Sequence, residues 1–166
     1  NLQENKLYLN LGNLKFKDIT LPAGVASRAD AWKSGVSMAD VNNDGLLDIF
    51  VCYMGKGDAD KRRKQLFINQ GDLTFKEQAK EYGLDDPSYS FQSAFFDYDN
   101  DGDLDLLLLN HSVGKYDNLE LYKYRNDIDA LAGNKLFENR NNHFVEVTQK
   151  AGIHQHTLTY GLGVVV

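Results

Sequence analysis

A chain of 166 residues is long enough for one domain with its own core, and 42% hydrophobic with 11% aromatic residues excludes a disordered tail. A net charge of −6 argues against nucleic acid as a partner, because phosphates need a basic face. One cysteine, Cys52, rules out an intrachain disulfide, and no run approaches the length of a membrane helix, so direct membrane insertion is not expected.

The elements follow one another as a repeat. Leu7-Tyr8-Leu9-Asn10 reads as a short strand, 10–13 as a hairpin turn with Gly supplying positive φ, and Phe16 as the start of the return strand. Gly24 ends this unit. Residues 35–39 then form a strand entering an acidic stretch, 40–48, and the apolar run 49–53 leaves it, with Cys52 as a buried structural thiol. A connection over 55–64 carries the run Lys61-Arg62-Arg63-Lys64, which reads as a solvated loop. The pattern returns as Leu66-Phe67-Ile68-Asn69, a turn over 69–72, Phe75, Gly83, a strand over 93–96, a second acidic stretch over 97–105 and an apolar run over 106–109. A long polar connection, 112–134, with Tyr116, Tyr122 and Tyr124, reads as a helix or an excursion at the rim. Leu136-Phe137-Glu138-Asn139, Phe144 and Gly152 begin a third copy. Its strand over 161–166 would lead into a third acidic loop near position 167.

The period sets the architecture. The acidic stretches start 57 positions apart, and each aromatic precedes its glycine by eight. The units run over approximately 7–64, 65–134 and 135–166, the last cut before its loop. Runs 49–53 and 106–109, apolar on both faces, should be interior strands. Four short strands per unit is the blade pattern of a β-propeller, so the expected fold is all-β: four-stranded antiparallel blades in one segment too short to close a propeller of four to eight blades. With no initiator Met and no leader, the chain is expected to be part of a longer protein.

The chemistry sits in the acidic stretches. Asp40-Val41-Asn42-Asn43-Asp44-Gly45-Leu46-Leu47-Asp48 and Asp97-Tyr98-Asp99-Asn100-Asp101-Gly102-Asp103-Leu104-Asp105 both read D-x-[DN]-x-D-G-x-x-D. They hold eight of the 24 acidic residues, so the acidity is local. Ca²⁺ takes six to eight hard oxygens in flexible geometry. Positions 1, 3 and 5 (Asp40, Asn42, Asp44; Asp97, Asp99, Asp101) converge on one point. Position 6 is the glycine of the bend, position 7 offers a backbone carbonyl (Leu46; Asp103), and position 9 returns a carboxylate (Asp48; Asp105). Mg²⁺ suits the loops less, since it prefers waters and strict octahedra. An EF-hand would need Glu at position 12 and flanking helices. Position 12 is Val51 or Leu108 and the flanks are β-rich, which also excludes a dockerin-type repeat.

These loops, the strands before them and the Leu-Phe-x-Asn…Phe…Gly pattern resemble FG-GAP/VCBS repeats, found in integrin α-subunit propellers and in bacterial secreted proteins with an ASPIC/UnbV region. Thr159-Tyr160-Gly161-Leu162-Gly163-Val164 resembles the second group, which includes cartilage acidic protein. The resemblance covers about 7–166 apart from the two variable connections, and it implies calcium ligands at loop positions 1, 3, 5, 7 and 9. Asn42, where Asp is common, implies a weaker first site. The literal Phe-Gly and Gly-Ala-Pro signatures are absent, which places the chain with the broader VCBS type. The implied role is a non-catalytic, extracellular, cell-surface or periplasmic module that binds a protein or carbohydrate within a longer chain or larger surface complex. The alternatives are an accessory propeller of a secreted polysaccharide lyase or phospholipase, or a purely structural scaffold subunit.

Little else carries chemistry. His154 and His156 lack a third ligand nearby and read as loop surface. His111 and His143 have no nucleophile to serve. Asn110-His111-Ser112 is a formal glycosylation sequon.

Overall fold

A computed structural model describes residues 4–116, 120–124 and 126–164. Among the described residues there are ten strands: β1 (Tyr8–Asn10), β2 (Phe16–Asp18), β3 (Trp32–Ala39), β4 (Asp48–Met54), β5 (Gln65–Asn69), β6 (Phe75–Glu77), β7 (Ser90–Phe96), β8 (Asp105–Asn110), β9 (Lys135–Asn139) and β10 (Phe144–Glu146). They form a two-stranded pair, β1-β2, and two four-stranded antiparallel sheets, β3-β4-β5-β6 and β10-β9-β8-β7. The fold is all-β, built of propeller-blade repeats. Met38 faces Ile49 in the first sheet, and Phe95 faces Leu106 in the second. Both first strands carry an irregularity at the same place, between Lys33 and Gly35 and between Ser90 and Gln92. The second strands are interior, as their two-faced apolar pattern requires: β4 is buried except for Met54, and β8 except for Leu107.

Each sequence period straddles two sheets. The strand–turn–aromatic half forms the outer pair of one sheet (β1-β2, β5-β6, β9-β10), and the strands flanking the acidic loop open the next. The join is made the same way each time. Gly24 and Gly83 both have φ +75°, a left-handed turn that side chains resist. Just before them, Ala23 O accepts from Phe75 N at 2.9 Å and Tyr82 O from Phe144 N at 2.8 Å, tying each turn to the outer strand of the following sheet. A methyl on Gly83 would meet Phe144 O at 2.6 Å.

Two apolar layers fill the gaps. Val25, Ile49, Val51, Tyr53 and Phe67 pack with Leu7 and Leu9 between the β1-β2 pair and the first sheet. Phe50, Cys52, Leu66, Leu84, Leu106, Leu108, Phe137 and Phe144 fill the space between the two sheets. Cys52 is fully buried, and burial pushes its thiol up to about 11. Between the first strands of the two sheets, β3 and β7, Ser34 Oγ donates to Ser90 O at 2.6 Å and Ser37 Oγ to Ser93 O at 2.8 Å.

The basic run is not the solvated loop its charge suggests. Arg62 and Lys64 are buried in the seam between the sheets. Arg62 donates to Gly57 O and Pro87 O and lies 4.7 Å from the Tyr89 ring centre. Lys64 Nζ donates to Ser88 O at 2.7 Å and Arg62 O at 2.9 Å. Long aliphatic stems and multiple donors suit these residues to capping carbonyls at a joint, which net charge alone does not reveal.

The connection over 112–134 is an excursion with a single 3₁₀ turn, Leu121–Tyr124, among its described residues. The expected strand over 161–166 is reduced to a bridge between His111 and Tyr160 with one bond from Gly161 N to Asn110 O; residues 165 and 166 lie outside the described residues. The sequon is closed in the folded chain: Asn110 is wholly buried, with Nδ2 donating to Gly133 O and Oδ1 accepting from Ser90 Oγ.

Candidate metal centre

Both acidic loops are the hairpin connections between the first and second strands of a sheet, β3 to β4 and β7 to β8. Their backbones fold alike. Position 4 is left-handed in each, Asn43 at φ +62° and Asn100 at φ +63°, and position 6 follows with Gly45 at +86° and Gly102 at +96°. Asparagine tolerates this region better than most side chains, which accounts for Asn at position 4, a role the sequence reading did not assign.

The first and last aspartates hold the loop together. Asp40 Oδ1 accepts from Asp44 N at 3.0 Å and Oδ2 from Gly45 N at 2.8 Å. Asp97 accepts from Asp101 N and Gly102 N, both at 3.1 Å. Asp48 and Asp105, each 1% exposed, bridge the loop to the third strand. Asp48 accepts from Val41 N at 3.1 Å and Asn69 N at 2.8 Å, and Asp105 from Tyr98 N at 2.9 Å and Asn139 N at 2.8 Å. Burial raises both carboxyls above the ordinary range; the two N–H bonds pull the other way, and neighbouring aspartates add to the rise.

The asparagine closing each Leu-Phe-x-Asn strand is the partner that sequence reading missed. Asn69 Nδ2 donates to Leu47 O at 3.1 Å, and Asn139 Nδ2 to Leu104 O at 3.3 Å. Their Oδ1 atoms cap the hairpin turn, accepting from Gly71 N and Asn142 N. Asn139 Nδ2 also reaches Val41 O of the first loop at 3.2 Å. The regular spacing of these asparagines from the acidic stretches was the available signal.

The predicted side chains are not gathered equally. In the second loop, Asp97, Asp99 and Asp105 each present an oxygen within 4.8 Å of the other two, so this cluster can hold a metal ion. Oxygens that close can share one hard cation, since those on opposite sides of a Ca²⁺ ion lie up to about 5.2 Å apart. Asp99 accepts no hydrogen bond from the described residues, so its charge has no internal use. Asp101 and Asp103 stand outside the triad: Asp101 Oδ1 accepts from Asp103 N at 2.9 Å, and Asp103 Oδ1 from Asn43 Nδ2 of the other loop at 3.4 Å. In the first loop, Asn42 Nδ2 donates to Asp44 Oδ2 at 2.9 Å, and Asp44 Oδ1 accepts from Leu46 N at 2.8 Å. The side chain of Leu46 is apolar, so it can offer an ion only its carbonyl.

Beside the second loop, Tyr98 Oη donates to Glu138, which also pairs with Arg140 and Lys150. The bond from Arg140, with that from Tyr98, holds the Glu138 carboxyl down at about 2. Among the described residues, no helix is long and apolar enough to cross a membrane.

Set beside known proteins, the chain finds no match among curated sequences. Compared with models of protein families, it matches the FG-GAP-like repeat twice, over residues 1–51 and 54–108. Each match begins near a strand–turn–aromatic half and runs on through an acidic loop, the same straddling unit that links one sheet to the next. The chain therefore belongs to the FG-GAP-like repeat family.

Proposed function

We propose that the chain is a calcium-binding, non-catalytic propeller module of an extracellular, cell-surface or periplasmic protein. Ca²⁺ fastens the loops over 40–48 and 97–105, and the face that carries them meets a protein or carbohydrate partner. The observation carrying this reading is the oxygen triad of Asp97, Asp99 and Asp105 on a hairpin whose backbone is already held in shape. Hard, purely oxygen donors favour Ca²⁺ over ions that prefer nitrogen or sulfur. In each loop the ligands are positions 1, 3, 5, 7 and 9: Asp40, Asn42, Asp44, the Leu46 carbonyl and Asp48 in the first, Asp97, Asp99, Asp101, the Asp103 carbonyl and Asp105 in the second. Extracellular modules bind calcium at roughly 10⁻⁴–10⁻³ M, matching the compartment proposed. The segment 159–164 supports a place near the ASPIC/UnbV group on sequence resemblance alone.

Calcium calorimetry on the whole chain tests the reading, with Asp99→Ala as the probe because Asp99 accepts no hydrogen bond from the described residues. Two sites in the parent chain and one in the variant are expected, with a thermal midpoint that falls in EDTA. Absence of binding in the parent, or superimposable melts with and without EDTA, would remove calcium from the function.

A further inference from the structure

The segment that carries His154 and His156 uses none of the acidic-loop residues. Burial alternates along residues 154–157, with His154 and His156 exposed and Gln155 and Thr157 buried. Gln155 turns inward, is buried, and donates from Nε2 to Glu146 Oε1 at 2.9 Å. His154 and His156 therefore stand exposed on the same side, with ring centres 5.6 Å apart and planes inclined at 41°. The backbone beneath them is pinned: Gln155 O accepts from Asp129 N and Thr157 N donates to Asp127 O, both at 3.1 Å, around a bridge between Ile128 and His156. The two rings share a cleft of about 610 Å³ with Asn126 and Gln149.

We propose that His154 and His156 chelate a divalent transition-metal ion of the imidazole-preferring class, Cu²⁺ or Ni²⁺. An imidazole nitrogen lies about 1.1 Å from its ring centre and about 2.0–2.1 Å from a bound ion, so two rings on one ion have centres about 4.5–5.5 Å apart for angles of about 90–120° at the metal. The observed separation lies just outside that range, and rotation of the two exposed rings toward each other brings it inside. Among the described residues no third His, Cys, Asp or Glu joins the pair within 4.8 Å. Water would complete the coordination. That arrangement suits tetragonal Cu²⁺ and Ni²⁺ better than structural Zn²⁺, which asks for four protein ligands. It does not suit Ca²⁺, which needs oxygen.

The test is Ni²⁺ calorimetry on untagged protein in calcium-saturated buffer. One Ni²⁺ site is expected, and His154→Ala and His156→Ala should each weaken it by about tenfold or more, because a chelate becomes a single-point contact. Both side chains are exposed, so the variants should keep the parent's circular dichroism and calcium response. Cu²⁺ loading read by electron paramagnetic resonance should show two equatorial nitrogens in the parent and one in each variant. No Ni²⁺ or Cu²⁺ binding by the parent, or binding unchanged in both variants, overturns the proposal. Either result leaves the calcium reading standing or falling on its own titration.

Discussion

The two acidic loops are the same scaffold with different charges. In each, position 1 takes the N–H groups of positions 5 and 6, position 9 clamps position 2 to the third strand, and position 4 is left-handed. What differs is the filling. The second loop has Asp99 where the first has Asn42, and only the second gathers three carboxylate oxygens within 4.8 Å. Asn42 instead spends its amide on Asp44. The contrast separates two jobs that one motif combines: positions 1 and 9 build the turn, while positions 3 and 5 tune its attraction for a cation.

The sharpest way to break that comparison is to remove position 9. Asp48→Ala and Asp105→Ala each leave two backbone N–H groups without their partner at a buried site. Both should cost about 2–5 kcal/mol in urea unfolding even in EDTA. A loop that tolerates the change would not share the scaffold.

The seam between the sheets offers a second contrast, between two lysines. Lys135 pairs with Asp86 at 2.6 Å. Burial raises the Asp86 carboxyl, but Lys135 and the bonds around it outweigh that and hold it below its ordinary value. Its contribution is therefore present above the unfolded value near 3.8 and is lost as pH falls through the lower folded one. Among the described residues Lys64 Nζ bonds to carbonyls alone, and burial lowers its ammonium from 10.5 to about 8. Between these values the unfolded chain binds more protons, so Lys64 is a cost below pH 8 that is relieved as pH rises. The stability gap between the parent and Lys64→Met should shift by about 3 kcal/mol in the parent's favour from pH 8 to 10.5. Making both proteins in a Cys52→Ala background removes the buried Cys52 thiol, which acts in the opposite sense between about 9 and 11 and interacts with Lys64. A gap that stays constant would mean that Lys64 does not feel its burial.

Smaller effects are expected at the turn glycines. Gly83 and Gly152 have φ +75° and +74°, but an added methyl meets Phe144 O at 2.6 Å in the first case and nothing within 4 Å in the second. Gly152→Ala should cost about 1 kcal/mol from backbone strain alone, and Gly83→Ala about 1–3 kcal/mol more, read by thermal melts. Equal losses would remove the sheet-to-sheet contact as the reason for glycine. Smallest is the exchange at position 3: Asn42→Asp should tighten calcium at the first loop roughly three- to tenfold, and Asp99→Asn should loosen the second by a like amount, by calorimetry.

Much of this was legible because repetition makes weak signals add. The strands, the two interior apolar runs and the acidic nonamers recur at fixed spacing, and hydrogen-bonded sheets must bury residues apolar on both faces. The isolated segments were read less well. Lys61–Lys64 resembled a solvated loop because charge predicts exposure only when no carbonyls wait to be capped, and those of Ser88 and Pro87 come from a strand-to-strand connection about 25 positions away.

By itself, the sequence determined the all-β repeat, the position of the acidic loops and the oxygen character of their side chains, because periodicity and residue chemistry are local. Tertiary structure alone decided which half of each period joins which sheet, that Asn69 and Asn139 tie the loops to the third strands, and that Asp97, Asp99 and Asp105 converge while Asp101 and Asp103 turn elsewhere. The ties to the third strands span 21 to 98 residues, and distance along the chain carries no information about contact until the chain has folded.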